Sequence, residues 1–154
     1  MIARILTSAL AASICLLVSL SAHAQGWHEA FPTDALSSHL PYGASHVLVI
    51  SAGDGDDETE AVREALLTSI DAIDGVAAVS VPALNGQDLE DEALLDEADG
   101  IDPDVVLIVR LFAPSDGPRT AIGTFYGSDK AGLSAFALQK GETLKPRVSR
   151  DEPG

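Results

Sequence analysis

The chain has 154 residues, with 24 Asp and Glu against nine Lys and Arg, a formal charge of −15. A surface of that sign repels phosphates, which argues against nucleic acid and anionic lipid headgroups as partners and favours solubility. There is a single Cys, so no disulfide framework is available, and about 130 residues beyond the N-terminal stretch suffice for one domain held by an apolar core.

The first 24 residues have the layout of a secretory signal peptide. Arg4 gives the short positive region, residues 5–20 the apolar stretch, and Ala22-His23-Ala24 the small-residue cleavage site. The apolar stretch is shorter than the roughly 20 residues of a membrane span and is broken by Thr7, Ser8, Ser13 and Ser19. Cleavage after Ala24 is therefore expected, with Gln25 as the mature start, a periplasmic or secreted location and no membrane insertion afterwards. Cys15 would leave with the signal, since Ile14 stands where a lipoprotein signal needs a small residue.

Residues 25–44 hold Pro32, Pro41 and Gly43 without sustained periodicity, and read as a leader or linker. A short helix is expected around 33–39, capped by Thr33 or Asp34 and ended by Pro41. Trp27 and Phe31, four apart, either dock together on the domain or form a partner-binding segment.

An α/β domain is expected over 45–144. Residues 46–51 (HVLVIS) form a short apolar run, the mark of a strand buried on both faces. Over 58–73, Val62, Leu66, Ile70 and Ile73 recur at three- and four-residue steps and predict an amphipathic helix. Asp57 and Glu60 have the spacing of a capping box, and Gly75 stands where a left-handed C-terminal residue belongs. Residues 76–81 give a second strand, stopped by Pro82.

The stripe Leu89, Ala93, Leu94, Leu95 and Ala98 predicts an acidic helix over 87–99. Residues 104–111 (DVVLIVRL) are the strongest strand and belong at the centre of the sheet. Turns at 114–118 and 128–132 then separate β-rich stretches over 119–127 and 133–139. Side chains alternate along a strand, so Phe125 and Tyr126 face opposite ways, one into the core and the other under a helix or in an exposed patch. The tail 145–154 is polar and expected to be disordered.

The order is thus β-α-β-α-β-β-β. Right-handed crossovers with helices on opposite faces give a three-layer α/β/α arrangement. Its five-stranded mixed sheet has the order 2-1-3-4-5, with the fourth strand antiparallel and the fifth an edge.

Charge is unevenly placed. Residues 54–104 hold 17 acids and one base, Arg63, for −16, whereas residues 105–154 hold five acids and seven bases, for +2. The acidic part includes the loop SAGDGDDETEAV, which follows the first strand. A phosphate-binding loop would need a Lys and a hydroxyl there, and a dinucleotide fingerprint a third glycine where Glu58 stands. Asp54, Asp56 and Glu58 have the alternating spacing of the first ligands of a calcium loop, but Thr59 occupies the glycine position and Ala65 that of the bidentate acid. Carboxylates also gather at a helix N-terminus because its dipole favours them.

Arg110 interrupts the apolar run at the carboxyl end of the central strand, where open α/β sheets bind ligands. It is expected to hold an ion pair with Asp54 or Asp116, or to recognise an anionic group, with Asp54 and Asp56 facing it across two strand ends. His28, His39 and His46 match no metal spacing, no Cys remains as a nucleophile, and no G-x-S-x-G surrounds a Ser. Neither a catalytic residue nor a cofactor is expected.

ADGIDPDVVLIVR over 98–110 and TFYGSDKAG over 124–132 resemble the N-terminal domain of TolB and related bacterial envelope proteins, which have an anticodon-binding-like α/β fold. The resemblance covers about 45–144, without the β-propeller. It implies a non-catalytic accessory or scaffolding role in docking another envelope protein, and supplies no catalytic residue. The competing expectation is small-ligand or calcium binding at the carboxyl ends of the strands through Asp54, Asp56, Glu58 and Arg110.

Overall fold

Continuous apolar runs decide the centre of the sheet. In the computed structural model, which describes residues 27–53 and 56–147, Val47 to Ile50 and Leu107 have no exposed surface. The expected signal peptide, Gln25, Asp54 and residues 148–154 of the expected tail lie outside the described residues.

The elements in chain order are α1 (Thr33–Ser37), β1 (His46–Ala52), α2 (Asp57–Asp71) and β2 (Ala77–Val79). A single 3-10 turn (Pro82–Leu84) leads to α3 (Asp91–Ala98), β3 (Val105–Phe112), β4 (Thr120–Gly127) and β5 (Gly132–Gln139). They build one five-stranded mixed sheet of order β2-β1-β3-β4-β5, the order expected from the sequence. β1 runs parallel to β2 and β3, while β4 and β5 continue antiparallel.

The two faces of the sheet carry separate cores. On the first face, Val47, Val49, Val105, Leu107, Val109, Phe125 and Phe136 meet Val62, Leu66 and Ile70 of α2. On the second face, Leu48, Ile50, Val106 and Ile108 meet Leu94, Leu95 and Ala98 of α3, with Leu84 beside them. α3 has only eight residues, so it covers β1 and most of β3 and leaves the carboxyl end of β3 and the β4–β5 half of the second face open. Phe112 is 59% and Ile122 42% exposed there, and Ala135, Ala137 and Gln139 are exposed beside them.

The segment before β1 completes the first core. Trp27 and Phe31 are buried, stack at 6.3 Å, and join Leu36 against Phe136. Each large apolar side chain removed from water contributes about 1.5–3 kcal/mol, enough to hold a segment that has little regular structure. The Leu144 amide, beyond β5, donates to the Ala30 carbonyl at 2.7 Å and ties both ends of the domain together. α1 is shorter than the sequence suggests, and its N-cap is Pro32, with no side chain capping it.

His39 follows α1 and lies flat on Phe125 at 5.4 Å with Phe136 at its edge. Its Nδ1 sits 3.2 Å from the Ser134 hydroxyl, while Nε2 is buried without a hydrogen-bond partner among the described residues. Burial, with Arg147 adding to it, pushes the imidazole pKa down. Gly123 on β4 is needed for space, because the ring of Phe136 lies where a Cβ would stand.

Candidate functional site

Three places collect polar or exposed groups, and each begins from an element end. The first is the N-terminus of α2. Asp56 has extended backbone (φ −74°, ψ 169°) and caps the helix, accepting from the Thr59 amide at 2.8 Å and from the Thr59 hydroxyl at 2.7 Å. The capping box expected from Asp57 and Glu60 does not form; the cap lies one residue earlier and is Asp56 with Thr59. Asp57 already has helical geometry, which leaves the residue before it to turn its carboxylate back onto the first turn. The Thr59 amide and hydroxyl, with Arg119, hold the Asp56 carboxyl below its usual range.

Glu58 lies two residues further on, in the first turn, and joins four parts of the chain. Its Oε1 accepts from the Trp27 indole N–H at 3.1 Å and lies 3.0 Å from Lys140 Nζ, while Oε2 lies 3.0 Å from Arg119. Burial works to raise its pKa, but Lys140, the indole N–H and Arg119 outweigh it and bring it down. Arg119 also reaches Asp56 at 3.0 Å. Any cation at Asp56 and Glu58 therefore has to displace Arg119 and Lys140. Among the described residues, no group of three or more His, Cys, Asp and Glu is placed to hold a metal, and Asp54 lies outside them.

The second place is Arg110. On β3 it shares the second face with Val106 and Ile108, so it emerges at the start of α3. Its Nη2 donates to Asp91 Oδ1 at 2.6 Å and to the Leu89 carbonyl at 2.6 Å, and Nε reaches Asp91 at 3.2 Å. The partner is thus Asp91, not Asp116, and Asp54 is not described. Nor does Arg110 bond Asp56. The two share a cleft of about 280 Å³ at the carboxyl ends of β1 and β3, together with Asp88 and Arg119, but Asp56 belongs to α2 on the opposite face.

Tyr126 stands beside Arg110 on the same face and donates its hydroxyl to the other oxygen of Asp91. Burial, and then the adjoining carboxylate, push the phenol up to about 12. A phenol shifted in that direction is a fixed donor and not an acid-base group near neutral pH. Phe125, its neighbour, points into the first core with no exposed surface. Arg110, Asp91 and Tyr126 thus form a clamp between α3, β3 and β4.

The third place is the open end of the sheet. Lys130, in the β4–β5 turn, lies 2.9 Å from Asp96 and 2.8 Å from Asp99 and ties the hairpin to α3. Those two carboxylates raise its pKa. Beyond this tie, Phe112, Ile122, Ala135 and Ala137 make an exposed, uncharged surface on the second face. The expected strand order made 133–139 an edge strand, but only the short length of α3 uncovers Phe112 and Ile122.

No protein-family model and no curated protein matches the chain. Among solved structures it is similar to dodecamers of PelC from Paraburkholderia phytofirmans in two crystal forms. A variant dodecamer is 13% identical with a TM-score of 0.39, covering 66% of this chain and 77% of that chain. The other is 16% identical with a TM-score of 0.36, covering 69% and 79% respectively.

Proposed function

We propose that this chain is a non-catalytic, exported protein of the bacterial cell envelope that docks another envelope protein as an accessory or scaffold module. The observation that carries the reading is the uncovered part of the second face, the carboxyl end of β3 with β4 and β5. In a chain of charge −15, it presents Phe112 and Ile122 at 59% and 42% exposure with no carboxylate among them. Exposed apolar surface of this kind marks interaction sites on soluble proteins. The signal-like first 24 residues support export, and the TolB-like segments 98–110 and 124–132 support an envelope role. The polar clusters support no reaction. Asp56, Glu58, Asp91 and Arg110 are each engaged by neighbouring elements of the same domain.

The test is capture from envelope extract with the purified protein and with an Ile122→Glu variant, followed by identification of the bound chains. A specific partner retained by the wild type and lost by the variant is expected, and identical captured sets for both end the docking reading. N-terminal sequencing of the protein from fractionated cells checks export. Gln25 as first residue in the periplasmic or secreted fraction is expected, and an unprocessed chain confined to the cytoplasm refutes it.

A further inference from the structure

The sheet ends in two edge strands, and their chemistry differs. β2 has three residues, and the Asp71 carboxylate accepts from the Ala78 amide at 3.5 Å, so an acid stands against that edge. β5 has eight residues, GLSAFALQ, with no charge and no proline. Exposed edges are ordinarily blunted by shortness, Lys, Pro or a bulge. Here the register shift opposite the start of β5, between Phe125 and Tyr126, is the one such device.

The direction of the amides follows from the ladder. The Lys140 N–H donates to the Arg119 carbonyl, so with the β4–β5 register Phe136 and Leu138 turn their amides inward. Ala135, Ala137 and Gln139 turn theirs outward. Gln139 is already satisfied, its N–H by Glu142 Oε1 at 2.8 Å and its carbonyl by the Glu142 amide at 3.0 Å. Among the described residues, no hydrogen bond from beyond the sheet reaches Ala135 or Ala137, and both side chains are exposed.

The structure assigns this edge to a second copy of the same chain. We infer that β5 pairs antiparallel with β5 of the second copy about a two-fold axis at Phe136, joining two sheets into one of ten strands. This extends the reading of the β4–β5 end as a docking surface: the exposed face is left to the envelope partner, and the β5 edge beside it takes the second copy. An antiparallel edge is self-complementary under a two-fold axis. Centred on Phe136, the pairing sets Ala135 against the partner's Ala137 and Ala137 against the partner's Ala135.

Charge selects the same edge. Two chains of −15 repel, and the −16 of residues 54–104 sits over β1, β2 and β3. Joined through β5, the two copies of β1 lie seven strand spacings apart, about 34 Å. That is roughly four Debye lengths at physiological salt, so the repulsion is largely screened. Joined through β2 they would place the acidic parts against each other.

Sedimentation equilibrium of the purified protein over a range of concentrations tests this, with Ala137→Pro and Ala135→Lys as variants. Proline is tolerated on an edge where the lost N–H points to solvent, and the lysine variant keeps every backbone group. Circular dichroism shows which variants are folded. A wild-type mass twice that of the chain, reduced to one chain by either folded variant, is expected. A wild type that stays monomeric at every concentration overturns the inference, as does a dimer that both variants leave intact. The two readings fail separately: a monomeric wild type that still loses its captured envelope partner on Ile122→Glu refutes the dimer and leaves the docking reading standing, and a dimer whose captured set Ile122→Glu leaves unchanged does the reverse.

Discussion

Replacing Asp91 by Ala opens the clamp at the carboxyl end of β3, and the structure sets the size of the effect. Arg110 loses its ion pair and Tyr126 loses its acceptor in the same substitution. The Arg110 and Asp91 side chains are 35% and 28% exposed, so the pair falls between two limits. Exposed pairs contribute up to about 1 kcal/mol, and breaking a fully buried pair costs about 3–5 kcal/mol. With about two-thirds of each group covered and water able to reach the guanidinium left behind, a loss of about 2 kcal/mol is expected. For a domain of this size that lowers Tm by roughly 6–10 °C. Asp91→Asn loses the charge and keeps one acceptor oxygen, enough for Arg110 or Tyr126 but not both, so it should fall between wild type and Asp91→Ala.

Tyr126 supplies a second readout from the same substitution. Its phenol is held at about 12, burial being the larger cause and Asp91 the next. A folded-state value above the ordinary 10.0 means that the stability linked to this group is complete below pH 10 and is lost as pH rises through 12. In Asp91→Ala the carboxylate is gone but burial remains, so Tyr126 should titrate lower without returning to its ordinary value, and the loss of stability in alkali should still begin near pH 10 but end sooner and be smaller. Ultraviolet titration in a Tyr42→Phe background isolates the signal, since Tyr42 is fully exposed and contributes no packing. An unchanged Tyr126 titration, or a stability loss below about 0.5 kcal/mol, refutes the clamp.

Trp27→Ala should cost about 3–5 kcal/mol in urea unfolding followed by circular dichroism, because the ring is fully buried and its N–H is bonded to Glu58. A change below 1 kcal/mol would mean that the segment before β1 is a tether only. Gly123→Ala should cost about 1–3 kcal/mol by overpacking against Phe136, and adding Phe136→Leu should recover part of it. His39 makes stability depend on pH in the acid range. Its folded pKa lies below the ordinary 6.5, so the stability it governs is complete above pH 6.5 and falls as pH drops through the folded value. His39→Leu should flatten Tm between pH 7 and pH 5 relative to wild type, and parallel curves would exclude His39 as the source.

The strand order was legible because the strongest signals fall on the central strands. β1 and β3 are unbroken apolar runs, and the stripe of α2 recurs at helical spacing. Tertiary bonds moved the boundaries elsewhere. Residues 87–90 share the apolar stripe of α3 but do not join the helix, since the Gln87 carbonyl accepts from Gly53 and the Gly86 amide donates to Ser51. Those bonds hold the stretch beside the end of β1 and delay the helix to Asp91. β2 shrinks to three residues because Pro82 begins a 3-10 turn. The segment before β1 left only the spacing of Trp27 and Phe31 as a trace, and a pair of aromatics four apart does not state what it packs on.

Arg110 stood out in the sequence, but its partner did not. The connectivity held the missing clue: a helix crossing between parallel strands starts over their carboxyl ends, so the acids beginning α3 lie nearest to Arg110. Asp88, Glu90, Asp91 and Glu92 all qualify by position, and only the rotation of the first turn singles out Asp91. The same logic extends to the whole charge pattern. Arg110, Arg119, Lys130 and Lys140 all pair back onto acids of residues 54–104. Each exposed pair is individually weak, but the pairs of Arg119, Lys130 and Lys140 together fasten the β4–β5 hairpin to the parallel half of the domain. The skew of −16 against +2 thus works partly inside the fold, and what it leaves uncharged is the outer surface of β4 and β5. That surface carries the docking reading because Asp56, Glu58, Asp91, Arg110, Arg119, Lys130 and Lys140 each have a partner within the domain that accounts for them.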